Sequence, residues 1–247
     1  MSKRGSELFF EGIDRTLKKI RETQRDAIAE AARVIADCIV SEGVVHAYGA
    51  GHSHELAEDI FFRAGTLVPI NNVHDAGTSG TTDVVKSSYT ERLEGYGYAI
   101  FDHIRALPQD VFIVISNSGR NASGIELAQK AKENGHKVIA LTSMGYSKNI
   151  TSRHSSGKKL YEFADVVLDN CGELGDVCVH VDWMEQGLGP TSTVAGAYIL
   201  HAVLVESAMT LHSEGHEPPV FLSGNFDKGM DFNEKYLEKY WHRIRAW

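Results

Sequence analysis

Serine, glycine, asparagine and histidine crowd into two short stretches of the 247-residue chain: Gly49-Ala50-Gly51-His52-Ser53 and Ser116-Asn117-Ser118-Gly119-Arg120-Asn121. Each follows an apolar run and precedes a segment with helical spacing, so each reads as a strand-to-helix turn. Glycine lets backbone approach a ligand closely, and the hydroxyls donate hydrogen bonds. A helix start adds unpaired N–H groups at the positive end of its dipole. That combination suits an anion, and two such turns on one sheet edge grip one phosphate from two sides. Taken singly, either turn is equally a tight bend with a serine or asparagine cap. The pair is the signal.

Rival nucleotide motifs fit worse. A dinucleotide fingerprint needs glycine where this chain has His54, and a P-loop needs Ser or Thr after Gly157-Lys158, where Lys159 stands. A flavin phosphate on the second turn would leave the first without a purpose.

Ionisable residues cluster next to the first turn. Glu55, Glu58 and Asp59 fall on the helix that follows it, Glu55 and Asp59 sharing a face. His52 and His54, with His46 nearby, have a spacing that two zinc ligands can use, but such histidine pairs are mostly not sites, and neither metal nor cofactor is expected. The stretch His154-Ser155-Ser156-Gly157-Lys158-Lys159 offers cations to a sugar acid or a second phosphate, or else forms a solvated turn.

The rest of the chain must position these groups. A hydrophobic fraction of 43% with 23% charged residues is globular composition. The net charge of −8 argues against a general nucleic-acid binder. The apolar run Val111–Ile115 is too short to span a bilayer. Glu7 and Glu11 flank the apolar patch near the start, so no leader is expected. Cys38, Cys171 and Cys178 lack metal spacing and read as free thiols of a reducing, cytoplasmic compartment.

Five strands are expected at residues 44–48, 66–70, 111–115, 137–141 and 166–168. Helices are expected at 54–63, 89–105, 122–134, 160–164, 192–211 and 233–244. Residues 6–41 read as one long helix or two meeting near 22–25, lying outside the sheet, and residues 74–88 and 213–230 read as loops. Strands alternating with helices imply a doubly wound, three-layer αβα sandwich with a five-stranded parallel sheet, flavodoxin-like in plan. The divisions are an N-terminal helical segment (1–42), the α/β domain (43–212), and a C-terminal loop and helix (213–247) packing on the domain or on a neighbouring subunit.

The two turns, with Val138-Ile139-Ala140-Leu141-Thr142 after the second helix, resemble the sugar isomerase (SIS) domain over about residues 40–212. Within that superfamily the chain resembles the phosphoheptose isomerases and a group of small single-domain relatives. The resemblance implies a sugar phosphate as ligand, held by Ser53, Ser116, Ser118 and Asn121 with Gly51, His52 and Asn117 of the same turns. Thr191 and Ser192 match a hydroxyl pair facing the same pocket. It implies His201 as a functional histidine, whereas Arg63 stands where phosphoheptose isomerases carry their catalytic glutamate. Glu58 is then the chosen base, with His201 as acid. The implied activity is aldose–ketose isomerisation through an enediol. The alternatives are a lyase of the N-acetylmuramic acid 6-phosphate etherase type and a phosphosugar-sensing module without catalysis. Single SIS domains resemble half of a site, so a homodimer or homotetramer is expected, with the apolar stripe of residues 9–38 as its surface.

Overall fold

The computed structural model describes residues 4–247. Two helices, α1 (Gly5–Thr23) and α2 (Arg25–Val40), meet at Gln24, whose buried side chain accepts a hydrogen bond from the Asp169 amide at 2.9 Å. The chain then runs through β1 (Val45–Gly49), α3 (Ser53–Asp59), β2 (Ile70–Asn72), α4 (Val84–Thr90), α5 (Tyr96–Ile104) and β3 (Val111–Ile115). It continues through α6 (Ala122–Glu133), β4 (Lys137–Thr142), α7 (Met144–Ser147), one 3-10 turn (Leu160–Phe163), β5 (Val166–Asp169), α8 (Ser192–Ser213) and α9 (Gly229–Tyr240).

All five strands pair in parallel, in the order β2-β1-β3-β4-β5. Strands β1 and β3 are buried on both faces, which is why β3 reads as a continuous apolar run. On one face Val45, Ala47, Val111, Ile113, Ile139 and Leu168 pack with α2, α3 and α8. On the other, Tyr48, Phe112, Val114, Val138 and Ala140 pack with α5 and α6. The expected three-layer αβα sandwich is therefore what the chain forms.

Particular boundaries differ from expectation. Residues 66–68 are not a sheet strand. They run against the C-terminal segment, Val68 N donating to Pro219 O and Phe221 N to Thr66 O, and the sheet strand begins at Ile70. The helix after the first turn stops at Asp59, and Phe62 takes a left-handed φ of 46° before Arg63. The polar stretch before Tyr89 contains a helix, α4, capped by Asp83, which accepts from the Lys86 amide. The next helix starts only after Gly95, at φ 90°. Ala31, Ile35 and Ile39 of α2 lie in the same core as β1 and α8, so α2 is a layer of the sandwich and its apolar stripe is already covered. Among the described residues α8 alone is long and apolar enough to cross a membrane; it packs here against α2 and α3.

Candidate functional site

The strand order reverses between β1 and β3, which are direct neighbours. A crevice opens beyond the carboxyl ends of such a pair, and both turns project into it. The first turn is tightly built. A Cβ on Gly49 would lie 2.3 Å from the Ser53 carbonyl oxygen, so no side chain fits there. Gly51 turns at φ 54°, and its amide donates to Thr78 O at 2.8 Å. In the second turn Gly119 takes φ 61°, its amide donating to Ser116 Oγ at 3.2 Å. The Asn117 carbonyl accepts from Ser143 N at 3.0 Å and its side-chain oxygen from Asn170 at 2.8 Å, which fixes the turn against β4 and β5.

Gly51, His52, Ser53, Ser116, Asn117, Ser118 and Asn121 line one cleft of about 330 Å³, together with Ser87, Ser88, Glu91 and Tyr146. That size suits a small ligand. Among the described residues the Ser53 and Ser118 hydroxyls have no hydrogen-bond partner. Asn121 starts α6 without capping it through its side chain; its Oδ1 instead accepts from Arg153 at 3.0 Å. The positive end of the α6 dipole thus lies at the cleft, although the Ser123 amide of its first turn is taken by the Glu91 carbonyl at 3.0 Å.

The other expected residues lie differently. Ser192 borders an adjoining cavity of about 150 Å³ that shares His52, Ser53 and Asn117 with the cleft. Its hydroxyl donates to Asp176 Oδ2 at 2.6 Å, and its amide and that of Thr191 donate to Asp176 Oδ1 at 2.9 and 3.1 Å. Thr191 is buried, and its hydroxyl also points to Asp176, at 3.3 Å. A carboxylate therefore already occupies the start of α8, and neither hydroxyl is free for a phosphate.

Glu58 and His201 do not meet. Glu58 lines a third cavity, adjoining the cleft at Gly51 and His52, with its side chain 65% exposed and 3.4 Å from His54. His201 turns away onto Asp59, Nε2 to Oδ2 at 2.8 Å, and Arg63 also bonds Asp59. The cause is the helix itself, since adjacent positions on α3 project about 100° apart. His54 is buried against His74, Nε2 to Nδ1 at 3.0 Å. Burial, and then the neighbouring His74, lower the His54 pKa. His46 belongs elsewhere, between Asp110 and Asn71. Among the described residues no group of three metal-binding side chains is assembled. His154, Lys158 and Lys159 are drawn to Glu126, the Phe163 ring and the Ser147 carbonyl respectively.

Sequence reasoning missed Glu91, the carboxylate that actually lines the cleft. It sits where α4 ends, and its backbone carbonyl accepts from Ser123 N at 3.0 Å. Burial raises its pKa; a hydrogen bond from Asn121 and the charges of Arg92 and Arg153 oppose that rise. A glutamate displaced upward in this way can hold or release a proton nearer neutrality. Nothing in its local pattern, Tyr89-Thr90-Glu91-Arg92, separates it from an ordinary surface helix residue.

Comparison with known proteins agrees with this fold. The chain is 39% identical over 236 residues to a UPF0309 protein of Geobacillus kaustophilus, covering 96% of this chain and 94% of that one. A UPF0309 protein of Listeria monocytogenes is 36% identical over 236 residues, at 96% and 97% coverage. Among solved structures, a phosphoheptose isomerase from Francisella tularensis superposes with a TM-score of 0.55 at 19% identity, covering 81% of this chain and 95% of that one. The Vibrio vulnificus NanR protein complexed with ManNAc-6P gives 0.50 at 13% identity, covering 99% and 71%. The SIS domain profile matches residues 8–143, and with the paired turns at the β1–β3 crevice it shows that this chain belongs to the SIS-domain family.

Proposed function

We propose that the protein binds a sugar phosphate in the β1–β3 cleft and catalyses its aldose–ketose isomerisation. The observation that carries this reading is the convergence, on one cleft, of two unpartnered serine hydroxyls, the start of α6 and a partly buried carboxylate. The phosphate sits between Ser53 and the Ser116–Ser118 turn, which puts the sugar carbons toward Glu91. Glu91 takes the proton from the carbon beside the carbonyl and returns it to the neighbouring carbon. The hydroxyl proton on the second carbon passes to the oxygen of the first, so the enediol collapses to the isomer with no net change in atoms. Asn121 and Tyr146 line the same space and can donate to those oxygens.

The test is turnover on a panel of aldose phosphates followed by NMR. Interconversion of an aldose and ketose phosphate supports the reading. Tight binding without turnover replaces it with a sensor, and loss of an ether substituent replaces it with a lyase.

We also propose a homodimer or homotetramer, with its contact on α8 rather than on residues 9–38. Val194, Tyr198, Val205 and Met209 form one exposed stripe along α8, although the opposite face is in the core. A helix apolar on both sides is normally covered on both sides.

A further inference from the structure

Three arginines gather at the Glu91 end of the cleft. Arg92 follows Glu91, with its guanidinium 5.8 Å from the Tyr89 ring centre. Arg120 belongs to the second turn, and its carbonyl accepts from the Arg153 amide at 2.9 Å. Arg153 reaches back to the cleft itself, Nη1 donating to Asn121 Oδ1 at 3.0 Å. Arg120 Nη2 contacts Thr151 Oγ1 at 3.3 Å, while its Nε is buried with no partner among the described residues. The arginine ion pairs within 4.0 Å among those residues involve Arg33, Arg63 and Arg243, so none of these three is neutralised by a close carboxylate.

Three like charges brought together cost energy unless an anion joins them. Burial, and then Arg120 and Arg92, push the Arg153 pKa down, and Glu91 and Tyr146, both cleft residues, push it back up. What ties the cluster to the cleft is geometry: Arg153 bonds the cleft residue Asn121 and, through its amide, the Arg120 carbonyl of the second turn. Guanidinium groups suit this task because their planar forks match carboxylate and phosphoryl oxygens two at a time.

We propose that Arg92, Arg120 and Arg153 form a second anion subsite, at the Arg120–Asn121 end of the second turn beside the serine hydroxyls, and that the ligand is a sugar phosphate carrying a further anionic group. The buried, unpartnered Arg120 Nε and the Arg153–Asn121 bond at the cleft wall together place that subsite. This rests on the phosphosugar reading above and narrows its substrate class to doubly anionic sugars.

The test is calorimetry with glucose 6-phosphate, 6-phosphogluconate and fructose 1,6-bisphosphate, on the wild type and on Arg153→Ala, Arg153→Lys and Arg120→Ala. At least one doubly anionic sugar is expected to bind about tenfold or more tighter than glucose 6-phosphate, the magnitude of one charge-assisted hydrogen bond. The carboxylate and bisphosphate arms identify which anion is preferred. Arg153→Ala erases that advantage and Arg153→Lys restores part of it, and either variant loses more affinity for the doubly anionic sugar than for glucose 6-phosphate. Equal binding of all three sugars, or an advantage that survives in Arg153→Ala and Arg120→Ala, overturns the subsite and leaves the phosphosugar reading intact. Failure of all three to bind overturns both.

Discussion

Arg243 ties the end of the chain to the start of β3 through Asp110: its Nη2 lies 2.7 and 3.0 Å from the two carboxylate oxygens. The same carboxylate accepts from the Val44 and Leu107 amides at 2.9 and 2.7 Å and meets His46 at 3.1 Å. Burial alone would raise its pKa, but the hydrogen bonds from His46 and the two amides win and bring it down to about 2.

A stability prediction comes from that depression. The unfolded carboxyl titrates near the usual value of about 3.9, so the unfolded chain takes up the proton first as pH falls. Asp110 therefore stabilises the fold fully above the unfolded value and loses that effect as pH drops from about 4 to about 2, a contribution of roughly 2–3 kcal/mol. Urea unfolding of the wild type and Asp110→Asn should show that gap at pH 7 and its narrowing across the acid range. A gap independent of pH would show that the carboxylate's charge is not what stabilises the contact.

Ser118→Ala should weaken phosphosugar binding ten- to a hundredfold, since one hydrogen bond to a charged group is worth about 1.5–3 kcal/mol. Ser53→Ala should act alike from the facing turn. Asn121, not Ser118, holds the cap position of α6, so thermal stability should change by less than about 1 kcal/mol. Calorimetry with a sugar phosphate and its free sugar reads the outcome; equal affinity for the two would remove the phosphate assignment.

For the proton-transfer step, Glu91→Gln should lower kcat by about a hundredfold or more while ligand binding persists. Glu58→Gln and His201→Ala should cost far less, because the first is solvent-exposed in an adjoining cavity and the second is held by Asp59. The raised Glu91 pKa sets the sign of the pH profile. The base is active when deprotonated, so kcat/KM should fall on acidification at a pH above the ordinary glutamate value of about 4.3. Full activity in Glu91→Gln would pass the role to Glu58.

Assembly has its own readout. Val205→Glu with Met209→Glu should shift the light-scattering mass to that of one chain, since both positions are exposed on the α8 stripe and charge there opposes an apolar contact. A wild-type mass equal to one chain at every concentration would dismiss the oligomer.

The interior strands were legible because burial on both faces leaves an unbroken apolar signature, as in Val111–Ile115. Strand β2 was not: Asn71 and Asn72 are polar yet buried, Asn71 bonding His46, and the apolar residues just before them pair with the C-terminal segment instead. The phosphate turns were readable because glycine, hydroxyl and helix start fall within a few residues. Glu91 and Asp176 were hidden for the opposite reason. Each reaches its place through a loop or a helix end whose course depends on distant packing, and a lone carboxylate has no local pattern to mark it.

The interior position of β1, between β2 and β3, also dictates an order of folding. Emerging early, β1 finds neither neighbour until β2 and then β3 have followed. Until then the Ala31, Ile35 and Ile39 face of α2 has no sheet to cover. Its other partner, α8, begins only at Ser192, in the last quarter of the chain. A ribosome making this protein thus holds an amphipathic helix with an uncovered apolar face through most of synthesis, a period in which chaperone binding competes with aggregation.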